Sequence, residues 1–124
     1  MRSAYIEYPA TIMRAIDGDT LHCELALGFG VLMRRVVRLA RINAPEGKNT
    51  PAHVYLSSQV GAHCLVQPHG CDKYGRVIAE VWLQKNGDDA INLSNDLLER
   101  GLVDEYHEHE ALGAIFAEEE NIHA

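Results

Sequence analysis

The sequence predicts a single α+β domain, and three observations support this prediction. The chain has 124 residues, which is enough for one hydrophobic core and leaves little room for a second domain. β-Forming segments separated by glycine-containing turns fill the first third of the chain. Helix-start and helix-stop signals follow in the remainder, between further β-forming segments. We therefore treat residues 1–124 as one domain.

Three strands are predicted in the first third of the chain. Residues 4–16 are rich in β-forming residues, and Asp17-Gly18 is a two-residue turn signal that makes residues 20–27 the returning strand of a hairpin. The sequence Gly28-Phe29-Gly30 breaks the chain again. Residues 31–42 are then the third strand.

Inward-facing and outward-facing side chains alternate in the predicted third strand. Val37 and Leu39 are predicted to face the core, and Arg38 to face outward. The alternation fails near Arg41, which indicates a bulge or a bend at that point.

A short amphipathic helix is predicted after the third strand. Thr50 is suited to cap its N-terminus, and Pro51 fits its first turn. Ala52, Leu56 and Val60 follow at intervals of four and share one face.

The rest of the chain predicts two more strands and two more helices. The strands are residues 64–67 and 76–83, separated by a loop at 68–75. A helix at 91–100 ends at a glycine, and a final helix with an acidic outer face covers 109–120. This order is that of a five-stranded OB-like β-barrel with about three helices, a fold that often binds nucleic acids.

The net charge of −7 argues against a nucleic-acid partner, but the charge is unevenly distributed. Eight acidic residues and one basic residue lie from Glu99 onward, whereas residues 1–98 hold ten of each and are neutral in sum. Within the neutral part, four arginines crowd the third strand: Arg34, Arg35, Arg38 and Arg41. A field polarised in this way can steer a phosphate toward one face.

Cysteine usage and hydropathy predict the compartment. Cys23, Cys64 and Cys71 are odd in number and lack the spacing of a disulfide framework, so we expect reduced thiols in a cytosol-like compartment. No apolar run is long enough to cross a membrane, and the N-terminus lacks the apolar region of a secretory signal. We expect a cytoplasmic monomer without a membrane partner. The histidines and cysteines lack the paired spacing of a closed zinc site.

The first candidate for chemistry is the predicted turn Asp17-Gly18-Asp19-Thr20. An aspartate beside a tight turn can present its carboxylate to a hard cation. Aspartate is also common in turns simply because it favours their backbone geometry, and for this motif alone that is the more frequent explanation.

The second candidate is the segment RLARINAPE, where the third strand runs into a loop. Arg38 can grip a phosphate with its guanidinium group. Asn43 can offer a neutral oxygen to a metal, and Glu46 can take a proton from water. The alternative is a strand end followed by a turn with surface charges.

The third candidate is the loop DKYGR at residues 72–76. Tyr74 is suited to base stacking, and Arg76, near the basic Lys73, is a second arginine that could bind phosphate. A polar turn entering a strand is the alternative explanation.

Taken together and in this order, DGDT, RLARINAPE and DKYGR, followed by INLSNDLLERGLV, resemble the staphylococcal-type thermonuclease family. The resemblance runs from about Thr11 to the C-terminal helix. It implies hydrolysis of phosphodiester bonds in DNA and RNA. It also implies that Arg38 and Arg76 bind phosphate, and that Glu46 is the general base. Lys73 and Tyr74 match positions that contact the terminal phosphate of a bound nucleotide.

The resemblance further implies one calcium ion. Asp19 matches a calcium ligand, and Ala44 matches a position that supplies a backbone carbonyl, where threonine is usual. Asn43 stands where the best-known members have a second aspartate. Asn43 keeps an oxygen and removes one negative charge, so we expect weaker metal affinity.

A second hypothesis stays open: a catalytically weak or inactive nucleic-acid-binding OB-type module of the same family. Asn43 and the acidic C-terminal part favour it. The presence of Arg38, Glu46 and Arg76 together favours a calcium-dependent endonuclease more strongly. A protein–protein interaction domain would explain the acidic part but leaves the arginine-rich strand without a purpose.

Overall fold

The computed structural model of the protein describes residues 6–84 and 90–106, and strands dominate these parts of the chain. Bounds follow from the backbone: β1 (Tyr8–Asp17), β2 (Thr20–Gly28), β3 (Val31–Leu39), β4 (Ile42–Asn43), α1 (Pro51–Ser57), β5 (His63–Cys71), β6 (Val77–Gln84), β7 (Ala90–Asn92), α2 (Leu93–Glu99) and β8 (Asp104–Glu105).

Five of the strands close into a barrel. The main sheet has the order β3-β2-β1-β5-β6-β7, and a further pairing of β3 with β6 closes the first five of these strands into a barrel, with β7 attached to β6. That closing pair is parallel, whereas the other neighbours are antiparallel. Two register shifts in β1 bend this strand between β2 and β5. The predicted α+β fold with a five-stranded OB-like barrel is confirmed.

The barrel encloses an aliphatic core, and both helices add to it. The residues with no more than 1% exposure include Ile12, Leu21, Val37, Leu39, Leu56, Val66, Val81, Leu83, Leu93 and Leu97. Burial of each such side chain stabilises the fold by about 1.5–3 kcal/mol. Leu56 comes from α1, and Leu93 and Leu97 come from α2, so the helices cover the barrel with apolar side chains.

Several predicted details are confirmed. Thr50 caps α1 by accepting a hydrogen bond from the N–H of His53, and Pro51 lies in the first turn. Arg41 adopts a left-handed backbone with φ of 70°, which is the predicted bend after β3. Gly101 has φ of 72° directly after α2 and its C-cap residue, as expected for a helix stop.

Other details of the prediction are wrong for identifiable reasons. β5 continues through residues 68–71, which were predicted as loop. A register shift between Pro68 and Gly70 lets the strand tolerate a proline that cannot donate to its neighbour. Helix α1 ends at Ser57, so Val60 lies outside it and is 48% exposed. The predicted helix at 109–120 lies outside the described residues.

Among the described residues, no helix is long and apolar enough to cross a membrane.

Candidate active site

The turn between β1 and β2 places Asp19 against the loop that follows β4. This close approach requires glycine at position 18, because a Cβ there would lie 2.8 Å from the Cβ atoms of both Ala44 and Ala52. The turn is therefore docked on α1 and on the loop rather than projecting into solvent. The hairpin turn that the sequence predicts therefore also determines the position of the Asp19 carboxylate.

Both carboxylate oxygens of Asp19 already accept hydrogen bonds. Oδ1 accepts from the hydroxyl of Thr20 at 2.9 Å, and Oδ2 accepts from the N–H of Ala44 at 2.8 Å. The same Oδ2 lies 3.5 Å from an amino nitrogen of Arg38. Asp19 is buried, with 7% exposure. Its carboxylate thus links the turn, the loop and β3.

Asp17 and Asp19 influence each other's ionisation. Burial raises the pKa of Asp19, and a side-chain hydrogen bond with Asp17 raises it further, against the opposing effects of the Ala44 N–H and of Arg38. Burial would also raise the pKa of Asp17, but hydrogen bonds from Asp19 outweigh this and lower it. On acidification, Asp19 is therefore the carboxyl of the pair that takes up a proton first.

Arg38 lies on the outer face of β3, as predicted, but it is not open to solvent. Only 9% of it is exposed. Its amino nitrogens donate to the carbonyls of Leu39 and Ile42, each at 2.7 Å, and more weakly to Asn43 Oδ1 at 3.4 Å. The bend at Arg41 turns these carbonyls toward the guanidinium group. Within the described residues, Nε and one N–H of Nη1 make no hydrogen bond, and they remain available to an anion.

A network of side-chain hydrogen bonds holds this bend in place. Arg41 forms a two-pronged ion pair with Glu80, with distances of 2.7 and 2.8 Å. Asn92, which caps α2, donates to the same carboxylate at 2.9 Å. Burial would raise the pKa of Glu80, but the hydrogen bonds from Arg41 and Asn92 outweigh burial and lower it. Glu80 therefore stays ionised, and the bend is tied to β6 and α2.

Arg76 lies in the turn between β5 and β6, which is built around Asp72. The Asp72 carboxylate accepts from the Nε of Arg76 at 2.6 Å and from the backbone N–H groups of Arg76 and Tyr74, both at 2.9 Å. The Tyr74 ring lies close to two cations, 5.5 Å from Arg76 and 5.4 Å from Lys73. Tyr74 is 72% exposed. This turn is open to solvent, in contrast to the surroundings of Arg38.

The two predicted phosphate ligands share one face of the barrel. The parallel register pairs Arg38 with Ile78 and Val37 with Val77. Since Val37 and Val77 are both buried, the residue before Val77 points to the opposite face, where Arg38 also lies. Arg76 is therefore offset from Arg38 by two residues, about 7 Å along the strand direction.

Glu46 lies in the loop between β4 and α1 and is exposed. The loop is held at both ends. Ala44 donates to Asp19 at its start, and Asn49 donates its N–H to the Nδ1 of His53 at 3.0 Å near its end. Since a backbone N–H can only donate, Nδ1 is the acceptor, and the Nε2–H of His53 donates to the carbonyl of Ala15 at 3.1 Å. His53 was not predicted to matter, and nothing in its local sequence identified it.

A short strand pair completes the surroundings of Arg38. Asn43 pairs with Asp104 in the two-stranded sheet of β4 and β8. The N–H of Tyr106 donates to the carbonyl of Arg41 at 2.9 Å, and the Tyr106 ring lies 6.0 Å from the Arg38 guanidinium carbon. Sequence reasoning missed both Asp104 and Tyr106, because their approach depends on a pairing between distant segments.

The structure thus brings Asp19, Arg38, Asn43 and Ala44 together, and it leaves Glu46 exposed on the adjoining loop. Lys73, Tyr74 and Arg76 lie on a separate turn of the same barrel.

The oxygen atoms near Asp19 are of the type that binds a hard cation, but they are few. Asp19 and Asn43 offer carboxylate and amide oxygens, and Ala44 has a backbone carbonyl, which is the ligand chemistry that Ca²⁺ accepts. Across residues 6–84 and 90–106, no group of three or more His, Cys, Asp or Glu side chains is placed to hold a metal. The residues fit a cation that is held by one carboxylate and by neutral oxygens, which predicts weak affinity.

The fold is similar to a solved domain of another kind. The extended Tudor domain TD3 from mouse TDRD1, in complex with a MILI peptide containing dimethylarginine 45, superposes with a TM-score of 0.66. The sequence identity is 9%, and the match covers 86% of this chain and 97% of that domain. At this identity the likeness concerns the fold alone. A comparison with curated protein sequences gives no match.

The family described as staphylococcal nuclease homologue matches residues 36–121. The matched region is more than half of the chain and includes Arg38, Glu46 and Arg76. The turn with Asp19 precedes it, and that turn is joined to the matched region by a hydrogen bond from the N–H of Ala44 and by an ion pair with Arg38. The expectation from the sequence motifs is confirmed: the chain belongs to the staphylococcal nuclease homologue family.

Proposed function

We propose that the protein is a nuclease that hydrolyses phosphodiester bonds of DNA or RNA and uses one divalent cation, calcium. The observation that carries the proposal is the convergence of Asp19, Arg38 and the start of the Glu46 loop. Asp19 accepts from the N–H of Ala44 and lies 3.5 Å from Arg38. A carboxylate, a guanidinium group and a base that can reach water are the groups that this hydrolysis needs.

The proposed roles follow from charge and exposure. Phosphodiester attack builds negative charge on the phosphate oxygens, and Arg38 and Arg76 share the face on which that charge would be stabilised. Glu46 is exposed and can therefore reach water, from which it would take a proton. Asp19, Asn43 and the carbonyl of Ala44 would hold the cation. When bound, the cation supplies polarisation of the phosphate.

Substrate contacts beyond the scissile phosphate are proposed for the turn around Asp72. Tyr74 is 72% exposed and suited to stacking on a base, and Lys73 lies beside its ring. Arg76 uses its Nε for Asp72 and keeps its terminal amino groups free of hydrogen bonds within the described residues. Such a group can bind a phosphate with both terminal nitrogens.

A second candidate function is a binding module of the same family without catalysis. The engagement of both Asp19 oxygens favours it, because a cation would have to share them with Thr20 and Ala44. The similar Tudor domain was solved in complex with a peptide. We rank this candidate second, because Asp19, Arg38, Glu46 and Arg76 are all present.

The test is cleavage of end-labelled single-stranded DNA and RNA and of plasmid DNA, over a range of calcium concentrations and with chelator. A nuclease gives calcium-dependent products, and the Glu46→Gln variant used as a matched control gives few. Binding of the same oligonucleotides without cleavage at any calcium concentration would replace the first candidate by the second. Absence of both binding and cleavage would overturn both candidates.

A further inference from the structure

The hairpin tip, which we define as residues 27–33 where the end of β2 turns into the start of β3, exposes an unusual amount of apolar surface. Phe29 is fully exposed, at 106%, and four neighbours are 37–61% exposed: Leu27, Val31, Leu32 and Met33. These residues are nearly consecutive and carry no charge. An exposed apolar patch of this kind on a small protein marks an interaction site.

The tip projects beyond the barrel. Pairing of β1 with β2 stops at Ala10 and Leu25, and pairing of β3 with β6 begins only at Val37. Beyond these points, within the described residues, the two strands pair only with each other. The apolar side chains at the tip therefore add little to the core, and their presence is not explained by folding.

Phe29 itself occupies a costly conformation. Its φ is 56°, in the left-handed region that glycine or asparagine usually occupies in such turns. An aromatic residue that is both strained and fully exposed stabilises nothing in the protein. Such a position points to a role outside the fold.

Basic residues follow directly behind the tip. Arg34 is exposed and pairs with Glu24 at 3.2 Å, so one of the two positive charges of Arg34 and Arg35 is balanced by a carboxylate. Arg35 donates to the carbonyl of Gly75 at 3.1 Å, which links the hairpin to the turn around Asp72. Leu32, Arg34 and Arg38 alternate along β3 and share one face.

We propose that the hairpin tip is a wedge for one strand of a nucleic acid, with Phe29 stacked on a base and Arg34 beside a phosphate. The choice of partner rests on the proposed function. A strand bound at Arg38 and Arg76 that follows the outer face of β3 passes Arg34 after about 13 Å and then reaches the tip. Apolar side chains backed by arginines are how proteins insert into stacked bases.

The test separates stacking from general apolar contact. In chelator, which prevents cleavage, affinity is measured for a fluorescent single-stranded oligonucleotide of about twelve nucleotides and for a dinucleotide. Phe29→Ala and Phe29→Leu should each lower affinity for the long oligonucleotide by about tenfold, and Phe29→Trp should keep it. Dinucleotide affinity should not change in any of the three. Val54→Ala removes exposed apolar surface on α1 and is the matched control.

Every outcome of these binding measurements either supports the wedge or overturns it. Equal affinity of wild type and Phe29→Ala for the long oligonucleotide overturns the wedge, whether or not the protein cleaves. Phe29-dependent sedimentation with phosphatidylserine vesicles, or Phe29-dependent dimerisation, without an effect on oligonucleotide affinity overturns it in favour of a lipid or protein partner. Phe29-dependent binding in a protein that never cleaves supports the wedge while overturning the nuclease. A wild type that binds no oligonucleotide in chelator overturns the wedge, and the calcium-dependent cleavage assay then decides the nuclease separately.

Discussion

The two halves of the candidate site differ in how far their polar groups are engaged inside the protein. In the closed half, Asp19, Arg38 and Ala44 are buried and bonded to one another or to backbone carbonyls. In the open half, Glu46 is exposed, and the contacts of the Arg76 side chain are with Asp72 and Tyr74 of its own turn. One half is part of the fold, and the other half is available to a substrate.

This difference separates two kinds of effect. Removing one partner of a buried ion pair leaves the other charge uncompensated and costs about 3–5 kcal/mol. Exposed substitutions away from such features usually stay within about 0.5 kcal/mol. A buried arginine that is already oriented needs no reorganisation during reaction, which favours stabilisation of a charged transition state. Variants in the closed half should therefore alter stability and activity together, and variants in the open half should alter activity alone.

The largest effect is expected in the open half. Glu46→Gln removes the proposed base and should lower turnover by about 10²–10⁴ without changing the thermal unfolding temperature. Steady-state cleavage kinetics and a melting curve measure both quantities. Lys48→Gln, a neutralising change in the same exposed loop, is the control and should keep most of the rate. A Glu46→Gln variant with a near-normal rate would remove this residue from the mechanism.

Arg38 and Arg76 allow a direct comparison of the closed half of the site with the open half. Arg38→Lys cannot reproduce the bonds to the Leu39 and Ile42 carbonyls, and it should cost about 2–4 kcal/mol of stability as well as activity. Arg76→Lys should lower kcat/KM but change stability by less than about 1 kcal/mol, since its ion pair is partly exposed. Urea denaturation beside kinetics on one oligonucleotide distinguishes them. Equal losses of stability would show that the two halves are not different.

The sequence shows which segments carry the candidate residues but not how deeply each residue is buried. The segments that carry Asp19, Arg38 and Glu46, and their order, are visible in the sequence, as is the barrel that arranges them. The burial of Arg38 is not visible, because it depends on the left-handed bend at Arg41 and on the Tyr106 ring, which arrives from a distant segment. The prediction for Val60 is wrong for a different reason: its spacing continues the helical period of α1, but the helix ends at Ser57.

A smaller effect concerns the support of the closed half. The ion pair of Glu80 with Arg41 holds the bend that aims carbonyls at Arg38, and Glu80→Gln should cost about 1–2 kcal/mol at neutral pH. The pKa of Glu80 is lowered in the folded protein, so its contribution is present above the unfolded pKa and is lost as pH falls through the folded pKa. Denaturation at a series of pH values should show the gap between wild type and variant closing in acid. A gap that stays constant would mean that the charge of Glu80 does not stabilise the bend.

The smallest effect lies where the two halves meet, at Asn43. This residue is exposed, and the hydrogen bond that its amide oxygen accepts from Arg38 is weak, at 3.4 Å, so the oxygen can still bind a cation. Replacing it by aspartate adds a negative charge to a site that offers one carboxylate, and calcium sites gain affinity from charged ligands. Asn43→Asp should lower the calcium midpoint by about three- to tenfold, and Asp19→Asn should raise it.

Calcium titrations of cleavage and of direct calcium binding for the three proteins measure this order. Asp104 lies opposite Asn43 in the β4–β8 pair, and Asp104→Asn is the control for charge that acts without ligation. Asp104→Asn removes a negative charge and should shift the calcium midpoint in the opposite direction from Asn43→Asp. If Asn43→Asp adds a ligand, its shift must be the larger of the two in size, because direct coordination adds to the effect of charge alone. If Asn43→Asp leaves the midpoint unchanged or raises it, Asn43 is a turn residue, and the proposed cation is not held by β4 at all.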